Sequence, residues 1–103
     1  MIKKIILILP IVLLANDNNI TKVGEKLYIE NSCNSCHGNY GEGMGLAPKL
    51  IGQKEEFLLK RLKELQQGTT RTPFGDEMVS FAKLLDNNET TIMAKYLSNL
   101  KNR

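Results

Sequence analysis

The sequence predicts an all-α domain of three main helices joined by long loops. Apolar residues recur at three- and four-residue intervals in three separate stretches, the period of a helix that buries one face. No stretch alternates apolar and polar residues as a half-buried strand does, and no internal repeat is visible. The segments between the helical stretches are long and carry glycine and proline. Connections of that length are unusual in a small bundle unless they wrap something.

Taken in order, the first stretch differs from the rest. Met1 to Lys4 is a short basic start, Ile5 to Ala15 is an apolar run interrupted only by Pro10, and Asn16-Asp17-Asn18-Asn19 turns polar. This is the layout of a secretory signal peptide. The run is too short for a bilayer, which takes about 20 residues. We therefore read residues 1–15 as a cleaved signal peptide, residues 16–103 as the domain, and the periplasm as its location; an uncleaved amphipathic or buried helix is the alternative. Thr21 to Asn31 reads as the first helix, with Val23, Leu27 and Tyr28 on its apolar face. Gly38 to Gly45 carries four glycines, and Leu46 to Gly52 continues as an extended turn, since the residue before Pro48 avoids the helical region.

The second helix runs from about Lys54 to Gln67, its stripe Phe57, Leu58, Leu62 and Leu65, with Gly68 placed to end it. Thr69 to Glu77 is a polar loop. Met78 to Leu85 makes one or two short turns, with Val79, Phe81, Ala82, Leu84 and Leu85 as apolar material. Asp86 opens the last helix as N-cap, and Glu89 three residues on completes a capping box. Ile92, Met93, Tyr96, Leu97 and Leu100 form its buried face.

Chemistry concentrates at one point. Cys33-Asn34-Ser35-Cys36-His37 has the C-x-x-C-H spacing that attaches a c-type haem. Cysteines three apart on a helical turn face the same way, so two thiols can add across the two porphyrin vinyl groups while the next imidazole binds the iron. The chain has two cysteines and one histidine in all. A structural zinc site takes four ligands, and a thioredoxin-like dithiol belongs in a βαβ context; these are the competing readings of the motif. With residues 1–15 removed, 88 of the 103 residues remain, without tryptophan and with three Phe and three Tyr. A domain that small has a marginal core, which one large flat apolar cofactor would complete. Removal of Lys3 and Lys4 leaves twelve basic residues against eleven acidic ones, a balance that argues against nucleic-acid binding.

With no second histidine, a sixth iron ligand has to come from Met44, Met78 or Met93, or the position is open or water-bound. Met93 falls on the buried stripe of the last helix, where methionine usually fills a core. Met44 follows His37 by only seven residues, on the proximal side.

Gly24-Glu25-Lys26-Leu27-Tyr28 ahead of Cys33 to Gly38, the segment Ala47 to Gly52, the Gly52-to-Gly68 helix and Met93, Tyr96 and Leu97 together resemble the small class I cytochromes c, above all the exported single-haem bacterial ones. The resemblance covers nearly everything after residue 20. It implies a cytochrome c fold wrapped around one covalently bound haem c, with Cys33 and Cys36 as thioether attachments and His37 as proximal ligand. It further implies that the Pro48 carbonyl accepts the other ring N–H of His37, that Met78 is the distal ligand, and that Gly24 lets the first and last helices cross near Tyr28, Met93 and Tyr96. Arg71 is a candidate partner of a haem propionate, with a solvated loop arginine as the alternative. Lys49, Lys54, Lys60, Arg61 and Lys63 make a possible docking face diluted by Glu55, Glu56 and Glu64.

A His/Met-ligated iron has no vacant position, so the expected function is one-electron transfer rather than catalysis. A haem edge exposed near Cys36 would meet transient partners such as a membrane quinol–cytochrome c reductase, a terminal oxidase or a peroxidase, without a stable membrane span of the chain's own. The competing functions are a haem-containing enzyme subunit or ligand sensor with an open distal site, and a disulfide-carrying structural domain.

Overall fold

A computed structural model describes residues 17–100. The signal-peptide reading of residues 1–15 lies outside the described residues. Those residues form five α-helices and one 3₁₀ turn, with no strand; Met44 and Ala47 make an isolated antiparallel bridge.

Helix α1 spans Asp17–Glu30, starting four residues ahead of the expected Thr21. It buries Tyr28 and brings Gly24 against Tyr96 of the last helix. A β-carbon at Gly24 would overlap Tyr96 Cβ and Cγ, so only glycine permits this approach. The contact line therefore runs through Gly24 and Tyr28. Val23, expected on the buried face, falls beside that line and is exposed.

Ser32 breaks the helical path with φ 62°, ψ 22°, a left-handed conformation uncommon outside glycine. Helix α2, Cys33–His37, follows immediately. Beyond it, residues 38–52 close into a ring. The Gly41 carbonyl accepts from the amides of Leu50 at 2.7 Å and Ile51 at 3.0 Å, while Gly43 N–H donates to the His37 carbonyl at 2.7 Å. Gly43 sits at φ 88° with the Lys49 backbone pressed against it, so a side chain there would be both strained and crowded.

Helix α3, Glu55–Gln66, buries Leu58 and Leu62, one turn apart. Phe57, counted in the stripe, is one position off that line and exposed; the Arg61 guanidinium covers its ring at 5.6 Å. Gly68, at φ 86°, ends the run with its N–H donated to the Leu65 carbonyl at 2.9 Å.

A 3₁₀ turn at Pro73–Gly75 leads into helix α4, Asp76–Ala82. Ala82 and Leu85 enter the core, whereas Phe81 and Leu84 are exposed and do not serve as core material.

Helix α5, Asn87–Ser98, carries the expected capping box: Glu89 N–H donates to Asp86 Oδ1 at 2.8 Å, and Asp86 N–H to Glu89 Oε1 at 3.0 Å. Met93, Ala94, Tyr96 and Leu97 are buried; Ile92 is only half-buried. Both α1 and α3 pack on α5, and α4 packs on α3. Tyr28 and Tyr96 meet as a tilted ring pair with centroids 6.0 Å apart. No helix among the described residues is long and apolar enough to cross a membrane.

Candidate functional site

Cys33 and Cys36 are the first and fourth residues of α2, so their side chains lie on one face of a single turn. Neither is in a disulfide; Cys33 is half-buried and Cys36 exposed. Burial pushes the Cys33 thiol above its ordinary value.

His37 closes α2 and is buried. Its Nδ1 lies 2.8 Å from the Pro48 carbonyl oxygen. A carbonyl only accepts, so Nδ1 donates, which in a neutral ring leaves the lone pair on Nε2. That is the tautomer a metal-binding histidine needs, held by a backbone group that also fixes the ring's orientation. The ring of loop 38–52 is what puts Pro48 there.

A contact absent from the sequence reading holds the other side of α2. Tyr28 Oη donates to the Gly38 carbonyl at 2.6 Å, tying the helix end to α1. Burial is the main cause that drives the Tyr28 phenol far above its usual range.

Met78, from α4, is brought to the same cleft as Ser32, Cys33, Cys36, His37 and Phe81. It is the methionine that lines this cleft. Met93 is 2% exposed and belongs to the hydrophobic core; Met44 is 54% exposed and bridges to Ala47, next to Pro48. Phe81, read from the sequence as apolar material of a short turn, lines the cleft beside Met78. A broader open groove along the outer side of α3 is lined by Glu55, Lys60 and Glu64 among others, and it contains no thiol, imidazole or thioether.

Arg71 meets Glu64 Oε1 at 3.3 Å, so in this structure its partner is a carboxylate of α3. Arg61 approaches the same oxygen at 3.7 Å. Of the basic docking face, Arg61 is thus paired with Glu64. Among the described residues, no group of three or more His, Cys, Asp or Glu side chains is placed to hold a metal ion, and without strands there is no βαβ unit for a thioredoxin-like dithiol.

The donor set matches the chemistry of a covalent haem. It offers two free thiols on one helix face, an imidazole with its Nε2 lone pair preset, a thioether on the same cleft and an aromatic wall. Fold and site thus define a small helical haem c domain. The chain belongs to the cytochrome c family, whose family model, described as "Cytochrome c", matches residues 21–101, and as a member it carries one covalently bound haem c.

Relatives bear on its electron-transfer character. The chain is 33% identical over 69 residues to the "Thiosulfate dehydrogenase electron acceptor" of Stutzerimonas stutzeri (strain A1501), covering 66% of this chain and 32% of that one. It is 31% identical over 86 residues to "Cytochrome c-554(547)" of Halothiobacillus neapolitanus, covering 76% and 93%. Reduced recombinant cytochrome c4 from Pseudomonas stutzeri superposes with a TM-score of 0.68 at 31% identity, over 82% of this chain and 50% of that one. The chain thus spans about a third of the first relative, half of the solved structure and nearly all of the second relative.

Proposed function

We propose that this protein is a periplasmic one-electron carrier, its haem c attached through Cys33 and Cys36 and its iron ligated by His37 and Met78. The observation that carries the reading is the meeting of Met78 with Cys33, Cys36 and His37 at one cleft, although some forty residues of chain separate it from the motif. The bound group supplies an iron that changes oxidation state by one electron.

The chain's own residues do the rest. Pro48 holds the His37 ring so that the imidazole lone pair is aimed without rearrangement. Tyr28 fixes the end of α2, and with it the spacing of both thiols from the imidazole. Met78 fills the position a small molecule would otherwise take and, as a thioether, favours ferrous iron and a higher potential. Phe81 lines the cleft beside Met78. Exposed Cys36 marks where a partner can come close. Partners follow from the same reading: redox proteins met briefly over small, wet contacts, a role for which the electron acceptor of thiosulfate dehydrogenase provides one precedent. A quinol–cytochrome c reductase, a terminal oxidase or a peroxidase fits the same chemistry. The basic, apolar and then polar order of residues 1–19 supports export.

The ferric protein, matured in a host equipped for cytochrome c assembly, is expected to show the long-wavelength charge-transfer band of an iron–thioether bond. Met78→Ala should abolish the band and Met44→Ala should retain it. A wild-type protein without the band whose ferrous form binds carbon monoxide tightly would instead establish an open distal site.

A further inference from the structure

Helix α4, which carries Met78, is seven residues long. A helix so short does not hold its own position in water, so whatever fixes Met78 must come from its neighbours. Ala82 packs into the core, but one small side chain gives little directional hold. The polar contacts are more specific. Gln66, the last residue of α3, places its Nε2 at 2.8 Å from Thr90 Oγ1, 3.0 Å from the Ala82 carbonyl and 3.4 Å from the Leu85 carbonyl.

The chemistry leaves one orientation for this amide. Two of the three neighbours are carbonyls, which only accept. The third, Thr90 Oγ1, gives its own proton to the Asp86 carbonyl at 2.7 Å and must accept as well. The NH₂ end of Gln66 therefore faces the cluster. It gives the Ala82 carbonyl, at the C-terminal end of α4, a second and shorter bond beside that from Leu85 N–H at 3.2 Å and, in the same contact, holds the first turn of α5 through Thr90, which is fully buried. The α3 helix also holds the approach to α4, since Glu64, two residues earlier, pairs with Arg71 of the preceding loop.

We propose that Gln66 is a positioning residue for the distal thioether: by clamping the end of α4 it keeps Met78 at the cleft, and weakening the clamp lets the thioether leave. This rests on the His37/Met78 reading above. It assigns a role to a polar side chain that touches none of the donor groups.

The test compares ferric holoprotein of wild type, Gln66→Met and Leu97→Ala. Gln66→Met keeps the side chain's length and removes the donor. Leu97→Ala removes a buried side chain of the α5 core that takes no part in the Gln66 contacts and serves as a measure of general destabilisation. Two quantities are read: affinity for added imidazole, which must displace the thioether, and the denaturant midpoint of unfolding. Gln66→Met is expected to bind imidazole about tenfold more tightly than wild type, while Leu97→Ala lowers the midpoint with imidazole affinity within twofold of wild type. Equal imidazole affinity in wild type and Gln66→Met overturns the proposal, and so does an equal rise in Leu97→Ala. If Gln66→Met fails to mature, Gln66→Asn, with the amide one methylene short, is measured against the same criteria. Absence of the iron–thioether band from wild type would overturn the ligand reading itself, whereas an intact band with unmoved affinities would overturn only the role of Gln66.

Discussion

The molecule has two sides built on different terms. The frame formed by α1, α3 and α5 supplies most of the core: Tyr28, Leu58, Leu62, Met93, Tyr96 and Leu97 are all buried, with Ala82 and Leu85 added from α4 and the turn after it. The other side, α2 with loop 38–52 and α4, leaves Met44, Leu46 and Phe81 exposed, as the frame's outer faces leave Val23, Ile29 and Phe57, but it is shaped mainly by hydrogen bonds to backbone groups. On the frame, helix faces and volumes set the structure. On the site side, single contacts decide where a reactive atom lies, as Pro48 does for His37, Tyr28 for Gly38 and Gln66 for Ala82. The frame supplies a rigid wall, and the site is tethered to it at a few named points.

Substitutions can break this division or sharpen it. The largest effect is expected on the site side, where His37→Ala should leave almost no coloured, folded protein, read from haem staining and yield; normal yield would show that the frame folds without the site. Next comes the frame's closest approach. Gly24→Ala forces a methyl into Tyr96 and is expected to cost about 1–3 kcal/mol or more, read from the shift in denaturant midpoint.

Tyr28→Phe cuts the tether between the two sides. It removes the shorter of two bonds to the Gly38 carbonyl, the other coming from Gly41 N–H at 3.4 Å, at about 0.5–1.5 kcal/mol. It also changes the response to alkali. The phenol's value is raised by folding, so its contribution is complete below the unfolded value of about 10 and is lost as pH climbs from there toward the folded value. Thermal midpoints of wild type should therefore fall more steeply above about pH 10 than those of Tyr28→Phe. The smallest change to the site belongs to a frame terminus: Asp86→Ala removes the capping box of α5 and is expected to lower stability by about 0.5–2 kcal/mol while the visible spectrum stays as in wild type.

The same division governs what could be read in the sequence. The all-α class, the extent of α3, the stop at Gly68 and the Asp86–Glu89 cap were legible because each depends on residues within one turn of each other. The α1–α5 contact at Gly24 was legible through the family resemblance. Phe57 and Val23 were misplaced because a stripe of apolar residues is wider than the line that touches another helix, and only the neighbour decides which edge is covered. At the site, the Cys33–Cys36–His37 cluster could be read because its members are adjacent. The Ser32 break could not, since a serine in a left-handed conformation leaves no glycine signal. The contacts of Tyr28 with Gly38 and of Gln66 with Ala82 and Thr90 join residues 10, 16 and 24 positions apart, where a polar side chain gives no hint of its acceptor.

The ring at residues 38–52 bears on how this chain tolerates changes of length. Two amides, those of Leu50 and Ile51, converge on one oxygen of Gly41, and Pro48 hangs between these fixed ends. A single residue added or deleted between Glu42 and Lys49 would shift the Pro48 oxygen away from the imidazole or undo the closure. The exposed stretch Gln67–Thr69 is closed in the same manner, with the amides of Gln67 and Thr69 meeting the Glu64 carbonyl at 3.1 and 2.9 Å, but it carries no group of the site. The segment following the histidine is therefore best transplanted between scaffolds whole or left alone.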